Sequence, residues 1–168
     1  QFDGLYLSGI TLAILPQNLR LALLEWLQTA QVQVIFDSNY RPHLWEDHAT
    51  AHKIIAGFWQ RADISLPSID DEMEIFGQTE AQVEQRFLTQ AKSGALKRGA
   101  RGPLSLGTPV VAQYEPVTDV LDTTAAGDSF NGGYLGALLS GKGQAAALQA
   151  GHALAAQVVQ YRGAIIPK

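Results

Sequence analysis

Residues Asp122 to Gly133, DTTAAGDSFNGG, set two acids, hydroxyl groups and a run of very small side chains directly ahead of an apolar stretch. Ala125, Ala126 and Gly127 are too small to cover the main chain, and the apolar run from Phe130 predicts a helix starting within or just after this turn. The first amides of a helix have no partner inside it, and the positive end of the helix dipole lies behind them. Such a terminus is a ready anion site, suited to a phosphate in transfer. Asp128 would stand at its mouth, placed to take a proton from an attacking hydroxyl while the amides hold the charge developing on the phosphoryl group. The other reading of the same residues is that Asp128 and Ser129 cap the helix, as Asp and Ser commonly do. Spacing alone leaves both open.

Other residues carry chemistry less specifically. Arg41 ends Asp37-Ser38-Asn39-Tyr40-Arg41 after the apolar VQVIF, and a guanidinium at a sheet rim can grip a carboxylate with two parallel hydrogen bonds. It could equally close a surface ion pair to Glu46 or Asp47. Asp37 has the position of a phosphatase nucleophile after a buried strand, but Asn39 stands where the second acid would be needed. Lys97-Arg98-Gly99-Ala100-Arg101-Gly102 supplies glycines for a close backbone approach to a nucleotide, or simply for a turn. Asp70-Asp71-Glu72 offers carboxylates that suit Mg²⁺ through its waters, or acids that complement a helix dipole. Gly136 to Lys142 has the spacing of a phosphate-binding loop, yet Gly143 replaces the hydroxyl residue and the position reads as a helix end. His48 and His52 lie four apart without an evident third ligand, and Gly127-Asp128-Ser129-Phe130-Asn131 lacks the closing glycine of a hydrolase elbow.

The elements that must position these residues emerge from the apolar rhythm. Strand-length runs alternate with amphipathic stretches: GLYLSGI, then PQNLRLALLEWLQTAQ; VQVIFDSN, then HLWEDHATAHKIIAGFWQRA; DISLPS, then TEAQVEQRFLTQAKSG. This is the pattern of βαβ units and predicts a doubly wound, mostly parallel sheet with helices on both faces. Leu44, Trp45, His48, Ile55 and Phe58 can line one buried stripe, and Pro16 suits a first helical turn. After Gly94 the glycines and prolines of GALKRGARGPLSLGTPVVAQYEP predict an antiparallel margin of short strands joined by turns. Two helices are expected last, 131–140 and 144–161. Ligands of open α/β sheets bind beyond the carboxyl ends of the strands, here SGIT, DSNYR, PSIDDE and DTTAAGD. With 168 residues, 46% of them hydrophobic, and no linker or repeat, a single domain over residues 1–168 is expected. A net charge of −4 with 17% charged residues gives no basic stripe, so nucleic acid is a poor partner. Apolar runs are too short for a membrane span. The lack of cysteine is compatible with a reducing cytosol, and a cytoplasmic location is the expectation.

DTTAAGDSFNGGYL resembles the C-terminal signature of the ribokinase-like (PfkB) carbohydrate kinases, usually D-T-x-G-A-G-D. YLSGITLAIL, FDSNYRPHLW, DISLPSIDDEMEIFG, LKRGARG and VVQYRGAIIP are together similar to the branch of that family acting on 2-keto-3-deoxygluconate, and they run from Leu5 to Pro167. The resemblance implies transfer of the ATP γ-phosphoryl group to the 6-hydroxyl of that sugar acid, with Mg²⁺ required. It implies Asp128 as catalytic base and Ala125, Ala126 and Gly127 as the anion hole. Ala125 stands where the family has Gly, which is acceptable if its φ is negative. Asn39, Arg41 and Asp122 would bind the substrate; Lys97, Gly99, Gly102 and His152 would bind ATP, His152 standing where relatives have Asn near the adenine. Asp71 would face the metal, where Ser68 and Asp71 replace the Asn and Glu of the family's motif. The resemblance also implies that the N-terminal part and the substrate lid are absent, that the chain is a C-terminal portion of one kinase domain, and that the full enzyme dimerises through that lid. A non-catalytic nucleotide-binding or interaction fragment, another sugar kinase of the family, and an Asp37-dependent phosphatase are the alternatives.

Overall fold

A computed structural model describes residues 2–166; Gln1, Pro167 and Lys168, the ends of the expected domain and of its last matching string, lie outside the described residues. The chain divides into two compact units, Gln1–Leu96 and Lys97–Lys168.

The first unit is built on β1 (Gly4–Ser8), β2 (Gln33–Asp37), β3 (Ile64–Leu66) and β4 (Gly94–Leu96). They pair in that order and all in parallel: Leu5 lies opposite Val34, Ile35 opposite Ile64, and Ser65 opposite Gly94. Between them run α1 (Gly9–Ala13) and α2 (Gln17–Thr29), then α3 (His48–Arg61), then α4 (Ile69–Phe76) and α5 (Glu80–Gln90). Right-handed crossovers that step one way stack their helices on one face, and α2 packs on α3, α3 on α4 and α4 on α5. Leu7, Leu12, Leu27, Val34, Phe36, Ile55 and Phe58 form the core between helices and sheet. The buried stripe of α3 differs in part from expectation. Trp45, Ile55 and Phe58 are buried, whereas Leu44 and His48 are exposed, because Pro42–Leu44 makes a separate 3-10 turn and Asp47 caps a helix that starts only at His48.

Two charged clusters hold this unit. Asp63 accepts the Val34 amide at 2.9 Å, Arg61 Nη1 at 2.7 Å and Lys92 Nζ at 2.8 Å, tying the start of β2 to the segment before β3. Glu72, fully buried on α4, accepts Trp59 Nε1 at 3.1 Å and Arg86 Nη2 at 2.7 Å, and the Arg86 guanidinium lies over the Phe76 and Phe87 rings. Burial lifts the Glu72 carboxyl to about 7 against the opposing pull of Arg86 and Trp59.

The second unit contains β5 (Leu104–Leu106), α6 (Ala126–Leu139) and α7 (Gln144–Val158). Within the stretch expected to form an antiparallel margin, β4 instead pairs in parallel with β3, because α4 and α5 make one more crossover before it, and β5 is a three-residue strand beyond a glycine turn. Residues 109–116 of the same stretch form no strand. Pro109 and Pro116 bracket this segment without amides to donate, and Val111 within it is fully exposed. Helices α6 and α7 pack closely. A Cβ on Gly133 would stand 2.6 Å from the Ala150 carbonyl oxygen, and one on Gly151 would stand 2.9 Å from that of Phe130, so only glycine allows the two backbones to meet. No helix among the described residues is long and apolar enough to cross a membrane.

The Asp63 cluster fixes the sign of an acid response. Burial alone would raise this carboxyl, but Lys92, the Val34 amide and Arg61 together hold it down to about 2, below the ordinary 3.8. Its stabilisation is therefore complete above about pH 4 and disappears as pH falls through about 2. Asp63→Asn is expected to lower stability at neutral pH by about 1 to 2 kcal/mol and to flatten the stability profile between about pH 4 and 2, as read by urea unfolding at a series of pH values.

Candidate active site

The turn that carries Asp128 is braced from behind. Asp122 Oδ1 accepts the Thr124 amide and Oδ2 the Gly163 amide, both at 2.8 Å, while the Leu121 and Asp122 amides both reach the Val159 carbonyl. The Thr124 hydroxyl, the Gly163 amide and the Thr124 amide hold the Asp122 carboxyl down to about 2. Both carboxylate oxygens serve main-chain amides. Through them Asp122 fixes the turn.

Helix α6 starts earlier than the apolar pattern suggests, at Ala126, with Ala125 as the residue before it and no side chain capping it. Asp128 is therefore not the cap; it lies inside the first turn, exposed to solvent. The Ser129 amide closes the first helical bond to the Ala125 carbonyl at 2.8 Å, and the Ala126 amide donates to the Thr123 carbonyl at 3.1 Å. Of the expected anion-hole donors, Ala126 is thus engaged within its own turn, and Gly127 stands at the second helical position. Ala125 has φ 61° and ψ 10°, so the condition of a negative φ is not met. An L-residue in that left-handed region carries a cost of about 1 kcal/mol that glycine avoids.

The nucleotide-side residues fall into two groups. Gly99 and Gly102 flank a 3-10 turn (Gly99–Arg101) with φ of 56° and 72°, and a Cβ on Gly102 would meet the Tyr114 ring at 2.6 Å. The glycines are needed for the turn and for this ring contact. His152 on α7 stacks near Tyr114, with ring centroids 5.0 Å apart, and its Nε2 lies 3.1 Å from the Glu115 carbonyl. It lines an open pocket of about 330 Å³ with Glu115, Pro116, Val117, Thr118, Asp119, Ala156 and Gln160. Nothing in the spacing of residues 115–119 marks them as pocket-forming. Lys97 Nζ points elsewhere, donating to Asn131 Oδ1 on α6 at 3.3 Å.

In the first unit, the turn after β2 is held on several sides. The Gly9 amide donates to the Ser38 carbonyl at 3.1 Å, the Ser68 amide to Ser38 Oγ at 2.8 Å, and the Tyr40 amide to Asp71 Oδ2 at 3.2 Å. Asn39 takes a φ of 27°, which asparagine tolerates better than most residues. Arg41 is exposed, and its Nη1 donates to the Tyr40 carbonyl at 2.7 Å; Glu46 is taken by the buried Arg20, not by Arg41. Asp37 is buried and accepts the Tyr6 hydroxyl at 3.1 Å. Its carboxylate is thus enclosed at the end of β2. Among the described residues no group of three or more His, Cys, Asp or Glu side chains could hold a metal ion.

A model of the pfkB family of carbohydrate kinases matches residues 1–168, and the chain belongs to that family. It is similar to 2-dehydro-3-deoxygluconokinase of Escherichia coli strain K12, 41% identical over 177 residues, covering 99% of this chain and 57% of the relative. The enzyme of that name from Dickeya dadantii strain 3937 is 40% identical over 181 residues, with the same coverage of 99% and 57%. Among solved structures, aminoimidazole riboside kinase from Salmonella enterica, complexed with aminoimidazole riboside and an ATP analog, superposes with a TM-score of 0.80 at 28% identity, over 98% of this chain and 58% of that one. The fold is thus the ribokinase-like α/β fold. The chain spans about 57% of the length of these curated relatives.

The left-handed Ala125 generates a direct test. Ala125→Gly relieves its strain but gains flexibility in the unfolded chain, and the balance is expected to stabilise by about 0.5 kcal/mol, with a higher midpoint in chemical denaturation. An alanine that costs nothing there would leave the midpoint unchanged or lower it.

Proposed function

We propose that this chain carries the phosphoryl-transfer portion of a sugar-acid kinase, moving the γ-phosphoryl group of ATP to the 6-hydroxyl of 2-keto-3-deoxygluconate. The observation that carries this reading is the start of α6: a helix terminus without a side-chain cap, with the exposed carboxylate of Asp128 in its first turn. The kinship with enzymes named 2-dehydro-3-deoxygluconokinase supports the choice of sugar acid.

Asp128 takes the proton of the attacking hydroxyl as its oxygen bonds to phosphorus and the bond to the leaving ADP breaks. The start of α6 supplies the helix dipole and, with the Ala126 amide held by Thr123, the Ala125 and Gly127 amides to the charge on the transferring group, Gly127 being the member whose missing side chain leaves most room. Arg41 is assigned to the substrate carboxylate, with Asn39 beside it on the same turn. The pocket lined by His152 and residues 115–119 is assigned to the nucleotide base, and Gly99 and Gly102 to the turn that lets the backbone approach ATP. Mg²⁺ entering with ATP would supply positive charge to the phosphate oxygens. The donor set fits such a phosphate-borne ion, which needs only one or two protein carboxylates, reached through water. Asp71 is the proposed contact, although its Oδ2 also holds the Tyr40 amide.

Asp128→Asn is expected to lower kcat for ATP-dependent phosphorylation of 2-keto-3-deoxygluconate by about 10²- to 10⁴-fold with nucleotide affinity retained. Arg41→Met is expected to raise the KM for the sugar acid by at least about tenfold while leaving the KM for ATP in place. Full activity of Asp128→Asn sinks the assignment of the base. Nucleotide binding with no turnover by the unsubstituted chain would favour a binding fragment.

A further inference from the structure

We propose that Asp71 is a positioning residue for the substrate carboxylate: it holds the main chain of Tyr40 and so fixes where Arg41 presents its guanidinium. This rests on the role given to Arg41 above and adds to it the group that sets its geometry.

The turn after β2 is secured in steps. Ser38, fully buried, is clamped twice, its carbonyl accepting the Gly9 amide at 3.1 Å and its hydroxyl the Ser68 amide at 2.8 Å. A Cβ on Gly9 would collide with the Ser38 carbonyl, so main chain lies directly against main chain here. Asn39 then turns the chain with a φ of 27°. Tyr40, whose ring is buried, engages both of its main-chain groups: the amide donates to Asp71 Oδ2 at 3.2 Å, and the carbonyl accepts Arg41 Nη1 at 2.7 Å. Asp71 therefore reaches the guanidinium through a single residue.

The start of α4 shows what this contact displaces. Ser68-Ile69-Asp70-Asp71 has the spacing of a capping box, in which the hydroxyl of the first residue accepts the amide of the fourth and the fourth side chain reaches back to the first amide. Ser8 with Thr11 and Thr79 with Gln82 close such boxes at α1 and α5. At α4 the Ser68 side chain makes no cap, the Ser68 amide goes to Ser38 Oγ, and the Asp71 carboxylate goes to the Tyr40 amide. Two groups that a box would join within the helix are turned outward to the residues after β2. Complementing the helix dipole explains an acid in this first turn, which Asp70 and Glu72 also supply, but not the exchange of partners. A two-point grip on a carboxylate depends on direction, so a guanidinium already aimed by its turn loses less freedom on binding. The effect of Asp71 is therefore on affinity for the sugar acid more than on turnover.

The test is made on the whole polypeptide that carries these residues, with Asp71→Ala, Asp71→Asn, Arg41→Met and a double variant carrying both Arg41→Met and Asp71→Ala. Mg²⁺ and ATP are kept saturating, so that a contact of Asp71 with the metal does not enter the sugar-acid KM. Asp71→Ala is expected to raise the KM for 2-keto-3-deoxygluconate by about five- to tenfold, with kcat within about threefold of the parent. Asp71→Asn keeps an acceptor for the Tyr40 amide without the charge, and its KM is expected to stay within about threefold. In the Arg41→Met background, Asp71→Ala is expected to add less than about twofold, since the group it aims is gone. The proposal is overturned by an Asp71→Ala protein whose KM lies within about twofold of the parent, by an Asp71→Asn protein as impaired as Asp71→Ala, or by full additivity in the double variant. If Asp71→Ala does not fold, Asp71→Leu is read by the same criteria. A raised KM in Arg41→Met beside an unaffected Asp71→Ala sinks only the positioning role, whereas an unchanged KM in Arg41→Met sinks the carboxylate assignment and the positioning role with it.

Discussion

The first amides of α6 are the constraint around which the second unit is arranged. Ser8 and Thr79 make reciprocal capping boxes for α1 and α5 and Asp47 caps α3, whereas α2, α4 and α7, like α6, start without a side-chain cap; α6 alone of these begins from a left-handed residue. Leaving such an end uncapped costs about 1 kcal/mol, and setting Ala125 in the left-handed region adds a similar amount. The surrounding structure holds this unfavourable end in place. Asp122 ties the approach to Gly163, the preceding main chain is anchored on Val159, and α6 lies against α7 along its length. Restraint is thus concentrated around a locally strained turn, which persists because the structure around it over-determines it.

In the first unit the most restrained segment is the turn that follows β2. The turn from Ser38 to Arg41 is fixed by Gly9 at the start of α1 and by Ser68 and Asp71 at the start of α4, through the Ser38 carbonyl, the Ser38 hydroxyl and the Tyr40 amide. Arg41 remains exposed at the end of this rigid turn. Behind it, the buried Glu72 and Arg86 join α4 to α5, so that Asp71 and Ser68 project from a helix whose position is itself secured. Removing one partner of such a buried pair leaves an uncompensated charge, and this is why the pair behaves as a unit.

Much of this architecture is legible in the sequence because it rests on period. Apolar runs such as VQVIF and amphipathic stretches such as the one ending in Phe58 and Trp59 each declare an element without reference to the rest. The parallel order of the first four strands comes from their alternation with helices. The remainder depends on contacts between distant residues or on backbone conformation. Arg20 and Glu46 are 26 positions apart, so no local pattern reveals that Arg20 takes the acid expected for Arg41. The left-handed alanine contradicts residue preference and is visible only in the folded backbone. The apolar pattern starts α6 too late because Ala126, Gly127 and Asp128 carry no apolar signal, although they already turn in the helix. Leu44 misleads for the converse reason: it has the right polarity for the stripe, but Pro42 opens a separate turn that keeps it out of α3. The enclosure of Asp37 by Tyr6 is likewise invisible to motif, since only the fold brings the two together.

The glycine seam between α6 and α7 has a mechanical meaning. Gly151, which touches Phe130, is succeeded at once by His152, whose imidazole lines the open pocket, and Phe130 is itself only two residues beyond Asp128. The close approach at Gly133 and Gly151 fixes how α6 and α7 are set against each other. A side chain in place of either glycine would push the two helices apart and so shift the pocket lined by His152 relative to the turn that carries Asp128.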